Sequence, residues 1–192
     1  MRIFILIMAI CCVGCGQQYA GTASTGNVED SARYVANAVD FIKTIKAKQL
    51  SDTSFILSDQ VFAFDRFDCL ASVARDTVNF SKEEIAWITQ QKYPHLSRWN
   101  NEHFPGTRFV NGDTITAIFK RGGPLRGWNE FYQRFGRGFQ RFSLPIFLKS
   151  NTEVLFYEES SCGGLCGMGR LSLYRKENDK WVEVRKYCNW IS

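Results

Sequence analysis

Histidine and long apolar runs are scarce in this sequence. Only two histidines, His95 and His103, occur among 192 residues, and neither stands at ligand spacing from other candidate metal ligands. No apolar run reaches the roughly 18 residues that a membrane-spanning helix needs, which excludes a multi-pass membrane protein. A disordered chain is also excluded, because 45 % of the residues are hydrophobic and the net charge is only +5. A folded domain of ordinary size is therefore expected.

The common catalytic motifs are absent as well. The sequence contains no Gly-rich phosphate loop, no nucleophile elbow and no Ser-His-Asp order. Two close acidic pairs, Asp65 with Asp68 and Glu158 with Glu159, fit solvated positions better than a general acid–base pair. We therefore predict no catalytic residue, no metal site and no cofactor, and we favour a binding role over an enzymatic one. A small-ligand-binding or enzymatic pocket in a curved sheet is the alternative.

The first twenty residues are organised like an export signal. Arg2 precedes an apolar run at residues 3–13, which is too short for a permanent membrane span but suits a signal-peptide core. Residues 12–15, CVGC, resemble the lipobox of bacterial lipoproteins, in which small residues precede an invariant cysteine. This resemblance implies cleavage after Gly14 and attachment of acyl chains, palmitate among them, to Cys15.

The lipobox also implies a location. A lipoprotein is held at a membrane of the cell envelope with its domain facing the periplasm or the exterior, and Gly16 favours the outer membrane. The partners expected are the membrane itself and an unidentified protein or envelope component. Two alternatives remain, namely ordinary cleavage near Ala20 or Ala23, which leaves no lipid, and an uncleaved N-terminal anchor.

The lipobox divides the chain into three parts. Residues 1–14 form the predicted signal peptide, and residues 15–28 form the lipidated cysteine with a Gly-, Ser- and Thr-rich tether. Residues 29–192 form a single domain, for which we predict an α+β fold. In that fold, N-terminal helices pack on an antiparallel sheet built mainly from the C-terminal half.

Three helices are predicted from periodicity and capping. The first begins at Asp30 or Ser31 and ends near Lys48, with its apolar residues at spacings of three and four. The second begins at the capping box of residues 81–84, SKEE, and ends near Lys92. A short third helix is predicted at residues 125–135.

Alternating patterns predict strands over most of the remaining chain. The predicted strands are residues 54–64, 114–119, 142–148, 153–159, 169–175 and 181–191. In the last hairpin we predict Leu173 opposite Val182, because this register places Leu171 and Val184 on the same face and sets Tyr174 across from Trp181. The strand–charged turn–strand pattern at residues 171–184 resembles uncharacterised exported proteins and NTF2-like domains, which implies a curved cone as the alternative fold.

Four cysteines lie in the predicted domain. Cys69, Cys162, Cys166 and Cys188 form an even set in an exported chain, which favours disulfides. The predicted hairpin register brings Cys188 near Cys166, although strand parity places these two side chains on opposite faces. Buried or free thiols, a metal site and a catalytic thiol are the alternatives.

Positive charge is concentrated in one aromatic-rich segment, residues 98–142. It holds eight basic and three acidic residues, which accounts for the net charge of +5. The main interpretation is that its aromatic residues belong to the core and its arginines are solvated neighbours. The alternative is an anion-binding surface for lipid headgroups, acidic glycans or an acidic partner. Its candidate residues are Arg126, Arg134, Arg137 and Arg141. Nucleic-acid binding is not predicted, because residues 137–139, RGF, begin an RNA-binding motif that Gln140 and Arg141 break.

Overall fold

The structure is a computed structural model that describes residues 26–63, 69–90 and 96–192. The predicted signal peptide, Cys15 and most of the predicted tether lie outside these residues, as do Asp65, Asp68 and His95. Lipidation at Cys15 therefore stays a prediction. The last three residues of the predicted tether begin the first helix.

Four helices and seven strands make up the described residues. In chain order they are α1 (Gly26–Leu50), β1 (Ile56–Ser58), α2 (Cys69–Ala74), α3 (Lys82–Gln90), β2 (Arg108–Val110), α4 (Gly112–Arg134), β3 (Phe139–Phe142), β4 (Ile146–Leu148), β5 (Glu153–Gly163), β6 (Cys166–Glu177) and β7 (Lys180–Ile191).

The strands form one mixed sheet, which confirms the predicted α+β class. The strand order is β2-β1-β3-β5-β6-β7, and β4 pairs separately with β5. Strands β3 to β7 pair antiparallel, as predicted for the C-terminal half. Strand β1, in contrast, pairs parallel with both β2 and β3, so the sheet is not wholly antiparallel.

Alternation along β5 separates two cores, because successive side chains in a strand point to opposite faces. Phe156 packs with Phe41 of α1 on one face of the sheet. Tyr157 and Leu155 pack on the other face with the cluster that contains Ile88 of α3. A third cluster joins α4 to the beginning of β3.

Helix α3 begins where its capping box predicts. The Ser81 hydroxyl accepts a hydrogen bond from the Glu84 backbone N–H at 3.2 Å. The Glu84 carboxylate accepts one from the Ser81 backbone N–H at 2.8 Å. This reciprocal pair satisfies two helix-end donors, and the helix buries Ile88.

The predicted strand at residues 114–119 is wrong, because this segment is the first part of α4. The Asn111 side chain caps the helix by accepting from the Thr114 backbone N–H at 3.0 Å. Ile115 and Ile118, three residues apart, are both buried on one helix face. The predicted helix at 125–135 is the second part of α4, which resumes after a kink at Gly123.

The predicted hairpin register is also wrong. Leu173 lies opposite Arg185, and Val182 lies opposite Arg175. The turn is only two residues long, Asn178 and Asp179, with φ of 50° and 61°. This type of two-residue hairpin turn requires positive φ at both central residues, and the turn fixes the register of the hairpin. The resulting register differs from the one that places the apolar residues of the two strands on the same face.

The ends of the sheet define two poles of the domain. At the near pole, the Tyr34 hydroxyl of α1 donates to the Pro145 carbonyl oxygen at 2.7 Å. The far pole contains the C-terminal end of α1, the beginning of β3 and the β5–β6 hairpin tip. The 25 residues of α1 span about 37 Å at 1.5 Å per residue, so the chain enters the domain at the near pole.

Candidate ligand-binding groove

Two adjoining cavities open at the far pole. Their volumes are about 560 Å³ and about 160 Å³, and both are lined by Gln49, Gln140 and Ser160. Because they share these three residues, we treat the cavities as one site, called the far groove. The larger cavity adds Arg108 and Arg137. The smaller one adds Glu158 and Arg170.

The sheet positions the floor of the far groove. Gln140 of β3 and Ser160 of β5 are directly opposite each other in the antiparallel register. The Gln140 side-chain amide donates to the Ser160 hydroxyl oxygen at 2.8 Å. Gln49, near the end of α1, lines both cavities together with these two residues. Amide and hydroxyl groups from three elements therefore converge on one surface.

A Gly-Arg-Gly segment holds Arg137 at the groove. Gly136 and Gly138 have φ of 136° and 146°, which side-chain-bearing residues rarely adopt. A Cβ atom on Gly138 would lie 2.6 Å from the Ser161 carbonyl oxygen. The glycine thus allows the segment to approach β5 closely. Arg137 is exposed, and its guanidinium has no hydrogen bond or ion pair with another described residue.

Glu158 and Arg170 line the smaller cavity, and Lys46, which lines neither cavity, pairs with Glu158 from α1. The Lys46 ammonium of α1 is 2.5 Å from one carboxylate oxygen of Glu158. The Arg170 guanidinium is 2.6 Å from the other oxygen. Lys46 is buried, with only 6 % of its side chain exposed. Glu158 therefore bridges the two cations.

Two further groups show the electrostatics of this region. Burial is the main cause that raises the pKa of the Tyr174 hydroxyl well above its usual range, and the nearby carboxylates of Glu158 and Glu183 raise this pKa further. At the rim, hydrogen bonds from the Ser54 backbone N–H and hydroxyl lower the pKa of the Asp52 carboxyl. Tyr174 stays neutral and Asp52 stays ionised near neutral pH.

Positive charge exceeds negative charge in and around the groove. The charged residues that line the two cavities are Arg108, Arg137, Arg170, Asp52 and Glu158. Three cations against two carboxylates give the lining a net charge of +1, which favours anionic ligands.

Only one of the four predicted anion-binding arginines lies at the groove, and this is Arg137. Arg134 pairs with Glu130 at 2.8 Å. Arg141 pairs with the buried Glu159 at 2.6 Å and stacks over a ring of the core. Arg126 is exposed on α4, outside the groove.

The aromatic residues of the basic segment lie mainly in the core, as the first interpretation predicts. Phe131 and Phe142 have no exposed surface, and Phe139 has only 3 %. Arg108, Arg170 and the polar floor were not predicted as site residues. Arg108 belongs to the basic segment, so its charge was the available signal, whereas Gln49 and Ser160 carry no signal in the sequence.

The four cysteines form two disulfides. Cys69 of α2 bonds to Cys188 of β7 across a sequence separation of 119, and Cys162 bonds to Cys166 at the tip of the β5–β6 hairpin. The Cys166–Cys188 bridge considered from the sequence does not form, because Cys188 lies opposite Leu171 and not near the hairpin tip. Because all four sulfur atoms are in disulfides, the alternatives of free thiols, a metal site and a catalytic thiol are also wrong.

Comparisons with known proteins identify no relative. No family model, no curated protein and no solved structure matches the chain. The resemblance to NTF2-like domains therefore stays a prediction. Among the described residues, no helix combines the length and apolar character needed to cross a membrane. No group of three potential metal-ligating side chains is found in the same residues.

Proposed function

We propose that the chain is a lipid-anchored protein of the cell envelope whose α+β domain binds a polar ligand in the far groove. The lipobox-like segment at residues 12–15 supports the anchor. The observation that carries the binding role is the convergence of Gln49, Gln140, Ser160 and Arg137 from separate elements on one open surface.

The ionic contacts of the groove support binding over proton transfer. A general base needs a carboxylate whose lone pairs can reach the substrate and whose pKa lies near the working pH. Both oxygens of Glu158 are already engaged, one by Lys46 and the other by Arg170. The backbone N–H and the hydroxyl of Ser54 donate hydrogen bonds that lower the pKa of Asp52, which keeps this carboxylate ionised. Fixed charges of this kind suit the orientation of a ligand.

The anchor is tested by acylation. Full-length protein is produced in bacteria supplied with radiolabelled palmitate. We expect label in the wild type and in a Cys12→Ala control, and complete loss of label in Cys15→Ala, because only Cys15 follows the small residue at the predicted cleavage site. An unlabelled wild type would contradict the proposed anchor.

The groove is tested by blocking it. In Gln49→Trp, an indole ring enters the space above Gln140 and Ser160. Detergent-solubilised protein is sedimented with detergent-insoluble, protease-treated envelope material. We expect at least tenfold weaker binding by Gln49→Trp than by the wild type.

The matched control is Ala47→Trp, which adds the same ring at an exposed position of α1 that does not line either cavity. It should bind like the wild type, and near-ultraviolet circular dichroism should show that both variants keep the native core. Equal binding by Gln49→Trp and Ala47→Trp would refute the groove as the binding site, as would a wild type that does not sediment.

A further inference from the structure

We propose that the ligand of the far groove is an acidic glycan, whose anionic substituent is bound by Arg137 and Arg108 and whose hydroxyl groups are bound by the amide and hydroxyl floor. This inference rests on the proposed binding function and specifies the ligand class. The glycan is recognised by its chemistry, a chain of hydroxyl-bearing rings with carboxylate, phosphate or sulfate substituents.

The anionic part of the ligand is inferred from the two arginines. Arg137 is exposed and without a described partner. Arg108 is also exposed, and its contact is one hydrogen bond from Nη2 to the Phe135 carbonyl oxygen at 2.9 Å. That contact is to a neutral group, so the charge of Arg108 is not neutralised. Arginine presents several N–H donors in a plane that matches carboxylate, sulfate and phosphate oxygens.

The hydroxyl-bearing part of the ligand is inferred from the amide and hydroxyl groups on the floor of the far groove. The Ser160 oxygen accepts a hydrogen bond from Gln140, which leaves the O–H of Ser160 available as a donor. The Gln140 carbonyl oxygen and the Gln49 amide provide further acceptors and donors. Such mixed groups suit sugar hydroxyls, which donate and accept at the same time. Half-buried Phe55 lines the same cavity and offers an apolar surface for the C–H face of a sugar ring.

Lipid headgroups carry similar anions, but the position of the groove disfavours them. The proposed anchor joins the domain at the near pole, and the groove lies at the other end of α1, about 37 Å away. With α1 perpendicular to that membrane, the groove faces away from it. An envelope polymer that extends away from the membrane is therefore the ligand source that fits.

The inference is tested by calorimetric titration of detergent-solubilised full-length protein. The probes are trigalacturonic acid, the neutral trisaccharide maltotriose, inorganic phosphate and the soluble lipid dihexanoyl phosphatidylglycerol. We expect trigalacturonic acid to bind at least tenfold more tightly than each of the other three probes. Arg137→Ala should weaken this binding at least tenfold, because it removes one of the two arginine charges that no carboxylate neutralises.

Arg126→Ala is the matched control, since it removes an exposed arginine outside the groove. It should change the affinity less than twofold. Equal losses in Arg126→Ala and Arg137→Ala would overturn the inference in favour of general surface electrostatics. Preference for maltotriose, phosphate or the lipid would overturn the ligand class. If these probes fail while groove-dependent binding to envelope material persists, the inference is wrong and the proposed function stands.

Discussion

Replacing both Cys69 and Cys188 by alanine should lower the free energy of unfolding by about 5 kcal/mol. The disulfide closes a loop across a sequence separation of 119, and cross-links across loops of this length restrict the unfolded chain most strongly. The bond also fixes β7, the edge strand of the sheet, to α2 beneath it. Urea unfolding followed by tryptophan fluorescence measures the change.

The control is the double variant Cys162→Ala with Cys166→Ala. These cysteines are only four residues apart, so the same relation gives a loss of about 2 kcal/mol. Both variants remove two sulfur atoms, but Cys69 is buried in the core and Cys166 is exposed, so part of the difference comes from lost packing around Cys69. Equal destabilisation of the two variants would contradict the explanation by loop closure.

Glu158→Gln should lower the free energy of unfolding by about 3 kcal/mol, because it leaves the Lys46 ammonium buried without an anionic partner. Only 6 % of the Lys46 side chain is exposed, so water cannot replace the lost carboxylate. In the same variant, Arg170 also loses its carboxylate partner, but this costs less because the Arg170 side chain is 33 % exposed and can be hydrated. Urea unfolding again provides the measurement.

Lys46→Met provides the decisive comparison. It removes the buried charge itself, and Glu158 keeps its contact with Arg170, so we expect a loss of only about 1 kcal/mol. The double variant of Lys46→Met and Glu158→Gln should then be more stable than Glu158→Gln alone. If the two single changes add, the buried ammonium is not the cause of the loss.

Local signals predicted much of the fold. The capping box at Ser81 gave the beginning of α3, because its two hydrogen bonds involve residues only three apart. The alternation of apolar and polar residues predicted β5, β6 and β7. Residues 114–119 were misassigned because Ile115 and Ile118 satisfy a short alternating pattern almost as well as a helical one. The Asn111 cap, one turn earlier, was the signal that distinguishes the two.

The groove was less predictable because its residues meet through the sheet topology. Arg137 was identified from the charge of its segment, and its flanking glycines are local. The contact between Lys46 and Glu158 joins α1 to β5 across more than half of the chain, and periodicity within either element does not specify it. The parallel pairing of β1 with β2 and β3, which brings Arg108 to the same end of the sheet as the beginning of β3, is equally nonlocal.

The Cys69–Cys188 disulfide has a mechanical consequence for a protein held at one end. Arg108, Arg137, Gln140 and Ser160 all lie between the two cysteines, within one covalent ring. When tension is applied between the chain ends, only the segments before Cys69 and after Cys188 can lengthen. The strands that carry the groove floor are therefore excluded from end-to-end extension.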